Sequence, residues 1–166
     1  MIKYLILVAI LGLSTIAGIE FSNTYTRKVQ FYEDALDFSK ILKNEIIFMK
    51  TDIMTIFSRQ QYKSQFNDVL NSIKTLYFEK NGVQIAKIND VLKSFDILNE
   101  NDKKIISSLF SSLGKLSYDE QLKQIDFYTE KFESALQKQR IECEKMSPFC
   151  KKMGILVGLA ICIVLF

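Results

Sequence analysis

Hydrophobic positions are concentrated at the two ends of the 166-residue chain, and the charged positions lie almost entirely between them. Tyr4 to Ile19 carries no charged residue, Met153 to Phe166 carries none, and all 19 acidic residues fall between these segments. As α-helices the two segments would be about 24 Å and about 21 Å long, against a hydrocarbon core of about 30 Å. Flanking lysines can extend both by snorkelling. The pattern predicts transmembrane helices in residues 1–21 and 153–166 and a domain in residues 22–152.

Two alternatives remain open for these end segments. The second segment could be an interfacial or re-entrant piece that does not cross the membrane fully. The first could be a cleaved signal peptide, with Lys3 as its basic start and Thr15-Ile16-Ala17 as its cleavage site. Against cleavage, the apolar run continues to Ile19.

The cysteines favour a reducing compartment. Cys162 lies inside the apolar tail, and Cys143 and Cys150 are seven residues apart. On a helix that spacing is about 10.5 Å, which exceeds the Cα separation that a disulfide bridges. Because no disulfide framework is apparent, the sequence indicates an intracellular domain.

Basic residues next to the apolar segments predict the orientation. Arg27, Lys28, Lys145, Lys151 and Lys152 lie on the domain side, whereas only a lysine at position 3 lies outside. The positive-inside rule therefore places the middle domain in the cytoplasm and both termini across the membrane. The expected location is the cell membrane, crossed twice.

The polar and apolar pattern of the middle domain is helical. Its apolar residues recur at steps of three and four, and one seam carries a carboxylate, Glu45. The seam consists of Phe31, Ala35, Phe38, Leu42, Glu45 and Met49. Further helical faces contain Phe57, Phe66, Val69, Leu70, Ile73, Leu76 and Tyr77, then Ile85, Ile88, Val91, Leu92 and Phe95. The last contains Leu122, Ile125, Tyr128, Phe132, Leu136 and Cys143. We therefore predict an all-α membrane protein in which two transmembrane helices flank a small cytoplasmic helical bundle.

Capping residues mark the predicted helix ends. Asn99 is expected to cap a helix that ends at Gly114, and Asn81-Gly82 is expected to end an earlier one. Ser117 and Glu120 have the spacing of a capping box at the start of a long helix. That helix is expected to continue into the C-terminal segment, with a kink near Pro148.

The sequence offers little to catalysis or ligand binding. It has no histidine, which removes the usual general base and the commonest metal ligand, and it has no glycine-rich phosphate loop. Two cysteines in the middle domain do not complete a zinc site. The formal charge of +3 gives no basic patch for nucleic acid. We expect no enzyme, cofactor, metal, nucleic acid or small-molecule substrate, although activity that depended on Glu45 or Asp119 would support an enzyme.

Glu45 is the least ordinary residue of the seam. A carboxylate on an apolar face must find a partner or stay near solvent. It either lies at the edge of the seam, or it makes a buried polar contact or faces a binding partner.

Several short stretches resemble the stage III sporulation protein AB family of endospore-forming bacteria, in the same order and spacing along the whole chain. They include the exit from the first apolar segment, the stretch around Glu45, and part of the last apolar segment. The stretches are Ala17-Gly18-Ile19-Glu20, Leu42-Lys43-Asn44-Glu45-Ile46, Leu113-Gly114, Gln121-Leu122-Lys123-Gln124-Ile125 and Gly154-Ile155-Leu156-Val157-Gly158.

The resemblance implies a non-catalytic platform or adaptor. Members look like single-copy relatives of the inner-membrane platform proteins of type II secretion and type IV pilus machines. The implied location is the mother-cell side of the outer forespore membrane, within a channel between mother cell and forespore. The implied partners are a secretion-type ATPase, stage III sporulation protein AA, other channel membrane proteins and membrane lipid, and a homo-oligomer of the chain stays open. Glu45, Gln121 and Lys123 are the candidate partner-binding residues.

A different class of function stays open beside this one. A secreted or membrane-tethered helical interaction module would have a cleaved signal peptide and a mature N-terminus near Gly18. It would place the bundle outside the cytoplasm.

Overall fold

All regular structure in the described part of the chain is helical. The computed structural model describes residues 2–49, 53–78, 85–113 and 115–165. Its elements are α1 (Ile2–Asn44), a π-helical turn (Glu45–Met49), α2 (Ile53–Arg59), α3 (Gln65–Phe78), α4 (Ile85–Lys93), α5 (Glu100–Ser112) and α6 (Tyr118–Leu165). The all-α prediction is confirmed, and the long apolar helices α1 and α6 flank the shorter ones.

The chain forms two compact units, which we name after their content. The bundle comprises Gln30–Leu136, and the helix pair comprises Met1–Val29 with Gln137–Phe166. Both long helices thus contribute their outer ends to the helix pair and their inner ends to the bundle.

The predicted seam of α1 forms the centre of the bundle. Phe31, Ala35, Phe38 and Leu42 are fully buried, as predicted. The ring of Phe38 lies 5.6 to 5.8 Å from three other rings, which come from α2, α3 and α5. They are Phe57, Phe66 and Phe110. Because one residue of α1 contacts rings from three helices, removing these aromatic surfaces from water holds the bundle together around α1.

The shorter helices bury the faces that the sequence predicts. The buried residues of these faces are Phe57 of α2, Phe66, Val69, Leu70 and Ile73 of α3, and Ile88 and Leu92 of α4. Leu76, Val91 and Phe95 are half-buried at the borders of these faces.

Two predicted helix starts have the expected caps. The Asn99 side chain accepts a hydrogen bond from the backbone N–H of Asp102 at 2.8 Å and so caps α5. At the start of α6 the carboxylate of Glu120 accepts bonds from the backbone N–H and the hydroxyl of Ser117, at 3.3 and 2.7 Å. These two bonds lower the pKa of Glu120. The predicted ends at Asn81-Gly82 and Gly114 lie outside the described residues.

The long helix α6 continues past Pro148 to Leu165, as the sequence predicts, and the kink expected near Pro148 stays a prediction. Its buried face in the bundle is slightly rotated from the predicted one. The line begins at Gln121 and continues through Ile125, Tyr128, Phe132 and Leu136, whereas Leu122 is half-buried.

Candidate functional site

Glu45 lies where α1 changes from an α-helix to the π-helical turn. The preceding seam residue, Leu42, is buried, and the next buried residue is Ile46. The apolar seam therefore passes beside Glu45, whose side chain keeps 19% of its exposure. This position at the edge of the seam agrees with the simpler of the two readings of Glu45.

The carboxylate of Glu45 is oriented toward α2. Its Oε1 lies 3.9 Å from Nη1 of Arg59, a long ion pair whose arginine is mostly exposed. Such a pair between partly solvated groups contributes little to stability. The Glu45 carboxylate thus faces Arg59 at the edge of the bundle.

An exposed aromatic ring accompanies Glu45 in the π-helical turn. Phe48 keeps 80% of its surface exposed. Together with Ile41, Asn44 and Glu45 it lines an open groove of about 180 Å³. A π-helical turn is rare and often occurs at functional sites, because it changes the direction of the side chains that follow. Here it accompanies a phenylalanine outside the core next to a carboxylate.

Lys123 lies on the face of α6 that carries Asp126, one turn away. Asp126 forms an ion pair with Lys43 of α1, with Nζ and Oδ1 2.5 Å apart. Lys123 itself is exposed. Lys123 is thus one turn from the Lys43–Asp126 ion pair, whereas Glu45 is paired with Arg59 of α2.

Gln121 has a different environment. It begins the buried face of α6 and is only 8% exposed. Its backbone N–H donates to the carbonyl of Ser117 at 2.9 Å, in the first turn of the helix. Gln121 can therefore position the start of α6, while contact with a partner would fall to its exposed neighbours.

A buried polar pair joins α1 to α5 inside the bundle. The hydroxyl of Tyr32 donates a hydrogen bond to Oδ2 of Asp102, and both residues are nearly inaccessible. Burial raises the pKa of Tyr32, and the bond to the Asp102 carboxylate raises it further. This pair is a buried structural contact between the two helices.

Chemistry-bearing residues are not clustered in the described ranges. Within residues 2–49, 53–78, 85–113 and 115–165, no group of three or more cysteine, aspartate and glutamate side chains is placed to hold a metal ion. The three cysteines there are half-buried thiols.

The helix pair is antiparallel, and its polar contacts fix its register. Leu7, Ser14, Ser22 and Thr26 of α1 face, in that order, positions progressively earlier in α6. The carbonyl of Leu7 accepts from the thiol of Cys162 at 3.5 Å, and the Ser14 hydroxyl donates to the carbonyl of Gly154 at 2.6 Å. The hydroxyls of Ser22 and Ser147 are 2.6 Å apart, and Thr26 Oγ1 is 3.9 Å from Cys143 Sγ.

Two glycines allow the helices of the pair to touch. A Cβ atom placed on Gly18 would lie 2.8 Å from Cα of Gly154 and 2.8 Å from the carbonyl oxygen of Cys150. A Cβ on Gly154 would lie equally close to Gly18 and to the carbonyl oxygen of Ser14. Small residues at such contacts are typical of helix packing in membranes, where close backbone approach supplies much of the attraction.

The surface of the helix pair is suited to lipid. Helices α1 and α6 are both long and apolar enough to cross a membrane, and only 11% of each apolar window is buried. A core helix of a soluble protein would be mostly buried, so these windows expose their apolar side chains to the surroundings.

Sequence reasoning identified Glu45 but missed Phe48. Phe48 is two positions after Ile46, so on a helix it lies on a different face from the apolar seam. This spacing could have indicated that Phe48 is exposed. The Gly18–Gly154 contact had only a partial signal: Gly154 and Gly158 are four residues apart in the apolar segment, a spacing typical of close helix packing in membranes, whereas the sequence did not indicate Gly18 as the partner.

The chain was compared with known families, curated proteins and solved structures. The family described as stage III sporulation protein AB matches residues 3–166, nearly the whole chain. No curated protein and no solved structure gave a significant match. The family match covers both long apolar helices and the bundle between them, in agreement with the resemblance found in the sequence. The chain therefore belongs to the stage III sporulation protein AB family and is a sporulation protein.

Proposed function

We propose that this protein is a non-catalytic membrane platform of a secretion-like channel between mother cell and forespore. In this proposal the helix pair crosses the membrane, the bundle faces the cytoplasm, and the bundle docks a secretion-type ATPase, stage III sporulation protein AA. Other channel membrane proteins assemble on the same platform. The sporulation role follows from the family, and the docking role is the part that needs testing.

The observation that carries the proposal is the exposed Phe48 beside Glu45. Protein interfaces concentrate their binding energy in a few aromatic residues surrounded by polar ones. Phe48 is largely accessible, and the groove next to it contains the Glu45 carboxylate. An apolar contact with an adjacent acidic group suits a partner surface that combines an apolar pocket with a basic side chain. Lys123 is a second, separate contact candidate, and Gln121 supports it from the buried face.

The packing of the helix pair supports an uncleaved first segment. Cleavage near Gly18 would remove Leu7 and Ser14, including the hydroxyl that donates to the carbonyl of Gly154. The signal-peptide alternative would therefore leave the apolar end of α6 without its partner. A cysteine-labelling experiment decides the orientation: Lys104→Cys, in a chain lacking the three native cysteines, should be protected from a membrane-impermeant thiol reagent. Labelling from outside would contradict the cytoplasmic bundle.

Binding of the ATPase tests the docking surface. With the full chain in lipid nanodiscs, Phe48→Ala should weaken binding by about 2 kcal/mol, roughly thirty-fold in Kd, because a central aromatic contact is lost. Glu45→Lys and Lys123→Glu should each weaken it and change its dependence on salt.

Controls separate docking from folding. Ile141→Ala removes an exposed apolar residue elsewhere, and Lys104→Glu reverses an exposed charge on α5; both should bind as the unchanged protein does. Helical content should be the same in all variants. If Phe48→Ala and Glu45→Lys stay folded and bind the ATPase undiminished, this surface is not the docking site.

A further inference from the structure

The register of the helix pair determines how thick an apolar layer it presents. The Ser14 hydroxyl bonds the carbonyl of Gly154, and a Cβ on Gly18 would meet the carbonyl of Cys150. Near the other end, Leu7 faces Cys162. Each step forward in α1 thus corresponds to a step backward in α6.

This register aligns the charged residues of the two helices at the inner end of the apolar layer. Lys151 and Lys152 follow Cys150 directly and so lie level with Ala17 and Gly18 of α1. The first charged residue of α1 on that side, Glu20, comes two residues later. The two apolar stretches therefore lie side by side and are not staggered.

The shared apolar layer is thin. Tyr4–Ile19, which lies between the charged residues Lys3 and Glu20, is about 24 Å long and so is shorter than a hydrocarbon core of about 30 Å. A staggered pair could have spanned more than either helix alone, but this register excludes that. Tilting would shorten the projected length further.

The charges at the inner boundary are exposed. Glu20 forms an ion pair with Arg27 at 3.3 Å, with both side chains more than half exposed, and Lys151 and Lys152 are exposed as well. Lysine stems can reach a headgroup region from a few ångströms inside the hydrocarbon. A paired glutamate has a much shorter side chain, so it opposes full burial at that level.

We propose that the helix pair fits a bilayer with a thin hydrocarbon core, of about 24 Å, and thins a thicker bilayer around itself. The interaction surface is the lipid-facing side of Tyr4–Ile19 and Met153–Leu165, and its partner is the acyl-chain region of the membrane. The inference rests on the proposed membrane insertion. Glu20, Lys151 and Lys152 mark the inner boundary of the apolar layer.

Lipid-chain order measures this effect directly. The full chain is reconstituted into bilayers of dimyristoleoyl, dioleoyl or dierucoyl phosphatidylcholine with deuterated chains, and deuterium order parameters are recorded with and without protein. We expect the order of dioleoyl and dierucoyl chains to shift downward, and that of the shorter dimyristoleoyl chains to remain unchanged. Unchanged or increased order in dioleoyl bilayers would overturn the proposal.

A longer apolar layer should reduce the thinning of the bilayer. The triple variant Glu20→Leu/Lys151→Leu/Lys152→Leu should lower dioleoyl chain order less than the unchanged protein does. The matched control Lys63→Leu/Lys104→Leu replaces exposed lysines of the bundle and should leave the effect intact. An inserted triple variant that perturbs the lipid as strongly as the unchanged protein would contradict the assigned boundary. If the triple variant does not fold, the chain-order measurements of the unchanged protein in the three lipids test the proposal.

Insertion itself is measured separately. Retention of the unchanged protein in the vesicles after extraction at alkaline pH reports that it is inserted. Loss of the protein on extraction would also contradict the proposed role as a membrane platform. Retention without lipid thinning would overturn only the proposed fit to a thin bilayer.

Discussion

Single residues of the bundle have roles that their chemistry alone does not reveal. Tyr32 and Asp102 are two polar residues that the fold buries together and joins by a hydrogen bond. Burying a polar group without a hydrogen-bond partner costs free energy, and the bond between Tyr32 and Asp102 offsets this cost for both. The pair therefore fixes how α1 and α5 pack, in addition to the apolar contacts around them.

Removing the Tyr32 hydroxyl should destabilise the bundle. We expect Tyr32→Phe to lower the free energy of unfolding by about 1–3 kcal/mol, because it leaves the Asp102 carboxylate buried without this donor. Urea unfolding of the full chain in nanodiscs, followed by circular dichroism, measures the change. The control is Tyr62→Phe, whose bond to Asp37 is 3.3 Å long and exposed, and which should cost less. Equal losses in both variants would contradict the buried role of Tyr32.

The raised pKa of Tyr32 predicts a loss of stability in alkali. Because burial and the Asp102 carboxylate raise its pKa above the ordinary value of 10.0, the folded state keeps the proton that the unfolded state releases. The contribution is complete below pH 10 and declines as the pH rises above that value. The unfolding free energy of the unchanged protein should therefore fall more steeply above pH 10 than that of Tyr32→Phe. Parallel curves would show that Tyr32 ionises equally in both states.

Among the secondary-structure elements, local sequence determines where several helices begin. The Asn99 side chain caps α5 by accepting from the N–H of Asp102, only three residues further along the chain. The π-helical turn at the end of α1 is different, since nothing in the spacing of Glu45–Met49 indicates an extra residue in the turn. Leu42 and Ile46, which are buried on either side of Glu45, continue the seam into that turn.

Loss of the Asn99 cap should weaken α5. Asn99→Ala should lower the free energy of unfolding by about 1 kcal/mol, because the N–H of Asp102 loses its acceptor. Asn99→Asp should preserve most of the stability, and the matched control Asn101→Ala, at an exposed position inside the helix, should have little effect. Urea unfolding monitors all three. A cost at Asn101 equal to that at Asn99 would argue against capping.

At the scale of the whole molecule, the ends of the chain are joined by contact between residues more than a hundred positions apart. The helix pair combines a glycine contact with hydroxyl bonds, including that of Ser22 with Ser147. In a membrane such contacts determine which helices pair, because apolar side chains gain little by leaving lipid for each other.

A side chain on Gly18 should disrupt the helix pair. Gly18→Leu would place atoms against the backbone of Gly154 and Cys150, and such overpacking costs about 1–3 kcal/mol. Disulfide formation between Cys162 and a cysteine substituted for Leu7 should slow accordingly in a chain lacking the other two cysteines. Gly12→Leu is the control, because nothing lies within 4 Å of a Cβ at Gly12. Equal crosslinking in the two glycine variants would rule out the close contact.

The sequence predicted much of the fold because the controlling forces are local or periodic. The long uncharged ends, the seam from Phe31 to Leu42, and the caps at Asn99 and Ser117 depend on residues a few positions apart. It also singled out Glu45, since a carboxylate interrupts an apolar line at that point.

Other features were decided by the tertiary structure alone. The pairing of Tyr32 with Asp102, the burial of Gln121 and the Gly18–Gly154 contact each depend on where a distant helix lies. The same is true of the thin apolar layer, because the length of each segment can be read from the sequence but their register cannot. Local periodicity specifies which face of a helix is apolar, whereas only packing specifies what that face meets.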